Sequence, residues 1–522
     1  MSLQFPLPTN DEDPSVYADR LGNYYSDLVT TTHKKENGQY FTSINLANFI
    51  ADFNKIHKKK IKILDPGCGI GILSTVLIQK LAFKENIKNI ELIAFENDPD
   101  ILTLTEANYE YLRNWLSERN ISFSYYLCKN DFILHNSSVL EGEKVFSPEF
   151  DIVISNPPYF KLSKDDTRKK IAKSVIYGQS NIYTIFMAIS ARLLKSNGQL
   201  IFIIPRSFCS GSYFRLFREK FLEYVNLNAI HVFDSRDKAF KKDNVLQENI
   251  ILSASRNEKL DDYNVLLSSS MDLSDISKSF SKSYLISNLI DFKSEQKIIH
   301  IPLTDKDDEI IKLFKSWNGS LKKYELEVST GPIVDFRNKE LIRFAEGSDT
   351  VPLIWLHNIY PMQILWPNYK IKGKPKGQYV VDNEFTQKCL VSKGNLILIR
   401  RFSSKDDLKR IIAAPITKDF FNNFGKIGIE NHLNYVYSKT NTLSITQTYG
   451  IAAILNSKIL DLYFRTFNGN INVSATELKN LPLPAFEIIE RIGLKILKCI
   501  QNGREYNIDI IVNENFEIPI YK

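Results

Sequence analysis

The feature that most constrains this chain is an alternation of β-like and helical runs between about residues 60 and 255, opened by a glycine-rich turn. KKIKILD (59–65) reads as a strand running into PGCGIG, and ILSTVLIQKLAF behind it carries apolar residues at helical spacing. IELIAFE (90–96) is a second strand, and ILTLTEANYEYLRNWL, after Asp98-Pro99, is a helix. FSYYLCKNDF (123–132) and DIVISNPPY (151–159) are the third and fourth strands. NIYTIFMAISARLL (181–194) is a helix stopped by Asn197-Gly198, and QLIFIIP (199–205) is the fifth strand. FRLFREKFLEYV is another helix, and NAIHVF (228–233) and ENIILSAS (248–255) complete the pattern. Strands alternating with helices build βαβ units, so the fold class is α/β with a mainly parallel sheet covered on both faces. The last two strands have no helical signal between them and are expected as an antiparallel edge pair.

At ~100–200 residues per domain, 522 residues suggest two to four domains. Residues 256–300 are rich in Ser, Asp and Lys (LLSSSMDLSDISKSFSKS) and read as a boundary. Beyond them come short strands punctuated by Gly, Pro and Asn, then helical stretches around 450–466 and 485–500. The expected division is therefore 1–255, a linker at 256–300, and 301–522. Hydrophobic residues at 43% and charged residues at 24% are ordinary globular usage. No run of roughly 18 uncharged apolar residues predicts a membrane span, and the N-terminus lacks the pattern of a secretory signal. An intracellular chain is expected. The five cysteines are scattered without CxxC spacing, so neither a zinc site nor a disulfide framework follows from them.

DPGCGIG (Asp65–Gly71) ends the first strand. Gly67, Gly69 and Gly71 let the backbone turn tightly and approach a ligand without Cβ obstruction. Such a turn at the carboxyl edge of a parallel sheet is where nucleotide-like ligands bind. Glu96 ends the second strand about thirty residues later, where a carboxylate accepts hydrogen bonds from both ribose hydroxyls. Asp131 and Phe132 end the third and offer an acceptor and a flat ring to an adenine. Three strand ends with that chemistry, in order, point to an adenosine-containing ligand. There is no GxxxxGK[ST] phosphate loop, and Asp65 would repel a pyrophosphate. S-adenosylmethionine is the natural candidate, since its sulfonium and ammonium groups tolerate nearby acids.

The fourth strand runs into SNPPYF, where Pro157 and Pro158 remove two backbone donors and stiffen the turn. QYFTS (39–43), DPGCGIG, FENDP, NDF and NPPY, in that order, resemble the γ-class N6-adenine DNA methyltransferases of restriction–modification systems. The resemblance continues through NIYTIF (181–186), QLIFIIP and KAFKKDNVLQENII (238–251), covering about residues 36–255. It implies a Rossmann-like S-adenosylmethionine-dependent methyltransferase sheet of seven mostly parallel strands, followed by a mixed α+β target-recognition domain. It also implies roles. Asn156 and the Pro157 carbonyl would accept the two N–H bonds of a target amine whose lone pair is otherwise delocalised into the ring. Tyr159 and Phe240 would sandwich the flipped-out base, Phe186 would pack on the cofactor adenine, and Thr42 would close over its methionine part. The transfer is then direct, without a covalent intermediate. Asn97 stands where an apolar residue is common in the family. Cys68, inside the glycine turn, is not placed as the nucleophile that a C5-cytosine reaction needs.

The C-terminal half resembles the family more loosely, through GIAAILNSKILDLYF and VSATELKNLPLP. Residues 361–440 hold 14 Lys+Arg against 6 Asp+Glu, which suits a polyanionic partner. Double-stranded DNA is the expected one. Arg400, Arg401, Lys405 and Arg410 in ILIRRFSSKDDLKR are candidate contacts, with Ser403 and Ser404 beside them. Lys370, Lys372, Lys374 and Lys376, together with Asn431, His432 and Asn434, extend the set. N4-cytosine methylation stays open, although such enzymes more often carry Ser first in the NPPY position. Protein-glutamine methylation also stays open, although that class normally lacks a large basic C-terminal domain. No PD…ExK nuclease signature precedes the methylase motifs, so a separate endonuclease is expected. The enzyme itself is expected to be a monomer.

Overall fold

Strand β1 (Lys60–Pro66) is buried from Ile63 through Pro66, the pattern of a central strand covered on both faces. It pairs in parallel with β2 (Asn89–Phe95) on one side and with β4 (Phe150–Ser155) on the other. The computed structural model describes residues 5–516 apart from 31, 35–37, 40, 85, 142–147, 180, 234–247, 257–261, 274, 276–279, 370–374, 404–407, 422, 441–442 and 470–471. Phe240, Lys405, Ser404, Lys370, Lys372 and Lys374 lie outside the described residues.

The chain divides into two units, residues 1–303 and 304–522. In the first, nine strands form one sheet in the order β3-β2-β1-β4-β5-β7-β6-β8-β9. Here β3 is Ser122–Cys128, β5 Leu194–Pro205, β6 Asn226–Phe233, β7 Asn249–Ser255, β8 Asn264–Ser270 and β9 Phe280–Leu285. Pairing from β3 to β5 is parallel throughout, and β7 enters antiparallel between β5 and β6. The expected antiparallel pair exists, but it is not an edge, because β8 and β9 continue the sheet beyond β6. The Ser-rich stretch read as a linker supplies those two strands, which makes nine strands where seven were expected.

Alternate residues of the strands face two cores. One holds Ile63, Leu92 and Ile152 under helices α1 (Ile44–Ala51), α2 (Ile72–Ala82) and α3 (Pro99–Ser117). The other holds Leu64, Phe95 and Val153 under α4 (Tyr183–Leu193) and α5 (Arg215–Tyr224). The chain order reverses between β1 and β4, and the crevice beyond their carboxyl ends is where ligands bind in such sheets.

The second unit is built on two small sheets. One orders Leu326–Thr330, Leu433–Ser438, Leu396–Arg400 and Ala413–Ile416. The other orders Ile342–Arg343, Tyr379–Val381, Thr350–Ile354, Lys426–Ile429 and Leu390–Ser392. Helices Ile445–Asn456, Lys458–Arg465 and Phe486–Gln501 follow. No helix among the described residues is long and apolar enough to cross a membrane.

Candidate active site

The turn after β1 is held by backbone geometry. Gly67, Gly69 and Gly71 all have positive φ, and a Cβ on Gly71 would lie 2.5 Å from the Tyr109 hydroxyl. Gly71 caps α2 in the left-handed conformation, which only glycine adopts without strain. Glu96, just past β2, grips this turn. Its Oε2 accepts from Gly69 N at 2.9 Å, and its Oε1 accepts from Asn97 N and Asp98 N at 2.9 Å each. Burial pushes its carboxyl up despite those three donors.

A cavity of about 340 Å³ opens over the turn, lined among others by Thr42, Asp65, Gly67, Gly69, Glu96, Asn156, Pro158 and Phe186. A second, of about 220 Å³, shares Gly67, Glu96, Pro158 and Phe186 and adds Asp131, Phe132 and Arg168. The two together bring onto one crevice every residue assigned to the cofactor. Asp65 is 1% exposed, and its Oδ2 has no hydrogen-bond partner among the described residues. Burial, helped by the nearby Glu96, pushes its carboxyl up to about 7, with Ser74 acting in the opposite direction. Phe186 packs on Phe132 with ring centroids 5.1 Å apart.

Asp131 corrects one expectation. Strand β3 stops at Cys128, and Asp131 instead caps the helical turn Phe132–His135, its Oδ1 accepting from Ile133 N and Leu134 N at 2.9 Å. Its Oδ2 faces Arg168 Nη1 at 3.4 Å, and Arg168 is also paired with Asp166. Arg168 was not foreseen, and no local pattern marks it.

Beyond β4, Asn156 sits at the wall of the larger cavity. Its Nδ2 donates to Thr42 Oγ1 at 3.1 Å, and the Tyr159 hydroxyl donates to its Oδ1. That hydroxyl also lies 2.6 Å from the Ile203 carbonyl at the end of β5. Pro157 is buried, while Tyr159 is half-buried and lines neither cavity. The loop before Thr42 is pressed onto this turn: Gly38 has φ 62°, and a Cβ there would lie 2.8 Å from Phe160 and 3.0 Å from Pro158. Burial beside Asp65 and Glu96 pushes the Cys68 thiol well up, which disfavours the thiolate a covalent mechanism would need.

The Eco57I restriction-modification methylase family matches residues 39–240. The chain is 33% identical to the type II methyltransferase M.BsuBI of Bacillus subtilis, over 92% of this chain and 94% of the relative. It is 30% identical to M.PstI of Providencia stuartii over 99% of both. The chain belongs to the type II methyltransferases of restriction–modification systems. Membership makes it a DNA methyltransferase that draws on S-adenosylmethionine. Among solved structures, the type IIL restriction-modification enzyme MmeI in complex with DNA shares the fold at TM-score 0.52 and 12% identity, over 96% of this chain and 73% of that one.

In the second unit of this methyltransferase the basic candidates separate. Arg410 is 3% exposed, with Nη1 on the Ser403 carbonyl and Nη2 on Asn468 Oδ1, each at 2.6 Å. It is a buried strut and not a DNA contact. Asn434 is likewise buried, donating to the Val473 carbonyl at 2.8 Å. Arg400 donates through Nε to the Ile359 carbonyl at 2.8 Å, and Arg401 through Nη1 to the Asn431 carbonyl at 3.1 Å. Both are half-buried and keep part of the side chain at the surface. His432 is oriented by the buried Glu430 carboxylate through Nδ1.

Proposed function

We propose that this enzyme transfers a methyl group from S-adenosylmethionine to the N6 amino group of a flipped-out adenine at a specific site in double-stranded DNA. The modification would protect host DNA from a separate cognate endonuclease. The observation that carries the reading is Asn156: its amide is held between Thr42 and Tyr159 at the wall of the cavity formed by the glycine turn.

The residues present fit the cofactor. Asp65 Oδ2 is a buried acceptor without a donor among the described residues, and Glu96 and Asp131 are carboxylates on the same crevice. Asp65, Glu96, Thr42 and the turn at Gly67 and Gly69 would hold its amino-acid and ribose parts. Asp131, Phe132 and Phe186 would hold its adenine. When bound, the cofactor supplies an electrophilic methyl on a positively charged sulfur.

The chain's own part is to make a poor nucleophile competent. Asn156 Oδ1, using its second lone pair, and the Pro157 carbonyl would accept the amine's N–H bonds, leaving the nitrogen lone pair free to point at the methyl. Both acceptors are neutral and fixed, so the gain is positioning and electrostatics. Unstacking the base costs a few kcal/mol, and stacking on an aromatic ring returns roughly 1–3 kcal/mol. Tyr159 is one such ring, and Phe240 is assigned as the other. The second unit would read the sequence, with Arg400, Arg401 and Lys405 at the DNA.

Incubation with methyl-labelled cofactor and duplex DNA, followed by digestion to nucleosides, tests this reading. N6-methyl-2′-deoxyadenosine is expected. N4-methylcytosine, or label on protein glutamine, would replace it with one of the two rival reactions.

A further inference from the structure

The carboxylate of Asp98, just beyond β2, collects the N-terminal segment. Its Oδ2 accepts from the Tyr25 hydroxyl at 2.9 Å and the Gln39 side-chain amide at 2.6 Å, and His33 Nε2 faces it at 2.9 Å. Its Oδ1 caps α3 through Asp100 N at 3.1 Å. Burial raises the Asp98 carboxyl, but His33, the Asp100 backbone N–H, Tyr25 and Gln39 outweigh it and hold the group below its usual range. An ionised carboxylate only accepts, so it dictates which end of the Gln39 amide turns toward it. That end is the NH2 group, and Oε1 is left pointing away. Gln39 lines the 340 Å³ cavity, and its Oε1 is buried with no hydrogen-bond partner among the described residues. Asp65 Oδ2, on the same cavity, is the other buried acceptor in this position. Two unpartnered buried acceptors around one cavity call for a ligand that brings N–H donors and positive charge.

We propose that Gln39 binds the cofactor directly, its Oε1 accepting from the α-ammonium of the amino-acid end, and that Asp98 is the positioning residue that aims it. The inference rests on the cavity being the S-adenosylmethionine site. The NH2 end of Gln39 is consumed by Asp98, so it serves as an acceptor only. Gly38, pressed on Pro158 and Phe160, sets the height of the residue that follows it.

Calorimetric titration of the full chain with two ligands tests this. S-adenosylhomocysteine carries the ammonium, whereas 5′-methylthioadenosine has the same adenosine and sulfur but no amino-acid end. Gln39→Leu should weaken the first about tenfold or more, as expected for a lost hydrogen bond to a charged group, and leave the second within about twofold. Asp98→Asn should shift the same ligand selectively, because an amide no longer dictates the orientation of Gln39. Gln39→Met serves in place of the leucine variant if thermal melting shows the latter unfolded. Equal weakening of both ligands, or of neither, overturns the proposal. Failure of the wild-type chain to bind S-adenosylhomocysteine at all would instead overturn the reading of the cavity, and this inference with it.

Discussion

Asn156 donates its side-chain amide to the Thr42 hydroxyl at 3.1 Å, tying the turn after β4 to the loop that enters α1 along the wall of the cavity over the glycine turn. The two residues are 114 positions apart, and the bond joins the loop proposed to close over the cofactor to the turn proposed to present the base. Thr42→Val keeps the shape and removes the hydroxyl. It should lower kcat roughly tenfold, because a misplaced amide costs positioning, while the Tm stays within about 2 °C. Steady-state methylation kinetics beside a thermal melt check both.

Asp65 gives a pH signature. Its carboxyl is pushed up to about 7 by burial, so between pH ~4 and ~7 the free folded chain keeps a proton that the unfolded chain has released. The native state then binds more protons, and this group makes stability fall as pH rises through that window and stay level above it. Asp65→Asn removes that slope. Chemical denaturation at about pH 5 and about pH 7.5 measures it. An ammonium beside Asp65 favours the ionised form, so cofactor binding below about pH 7 should release a proton, visible as a buffer-dependent heat of binding.

Gly38→Ala would place a methyl 2.8 Å from Phe160 and 3.0 Å from Pro158, at φ 62°. The loop must lift from the catalytic turn, taking Gln39 and Thr42 with it. Cofactor affinity and turnover should fall together by tenfold or more, with a stability loss on the order of 1–3 kcal/mol. Equilibrium cofactor titration and denaturation separate the two effects.

Arg401 and Arg410 should behave as opposites. Arg410→Ala removes two buried hydrogen bonds and should destabilise the second unit by about 2–4 kcal/mol. Arg401→Ala should leave the Tm nearly unchanged and weaken DNA binding. If Arg401 meets a phosphate, the salt dependence of binding should lose about one unit of slope. Binding isotherms at several salt concentrations, with a melt of each variant, decide between the two roles.

How much of this was legible from the residues differs by region. β1 to β7 lie close to their expected places, those inside the sheet because long apolar runs advertise themselves, as IVIS in β4 does, whereas the edge strand β3 stops at Cys128, short of its expected end. β8 and β9 carry no such run: NVLLSSS and FSKSYL hold at most three apolar residues in a row within a Ser-rich stretch and have exposed positions typical of strands near a sheet edge. The glycine turn, Glu96 and the NPPY turn were readable as local motifs. Arg410 was misread because a cation in a basic block looks like surface, whereas its partner Asn468 lies 58 residues away. Gln39, His33 and Tyr25 give no local signal for the same reason: each meets Asp98, 59 to 73 residues downstream.

The proposed role of Asn156 is toward the target amine and not toward the cofactor. Single-turnover methyl transfer to duplex DNA by Asn156→Ala, with equilibrium cofactor binding measured on the same preparation, tests this most directly. Transfer to adenine should fall by about a thousandfold or more, in line with loss of a key electrostatic contact, while cofactor affinity stays within about threefold. Undiminished transfer, or a loss explained entirely by weaker cofactor binding, would contradict it.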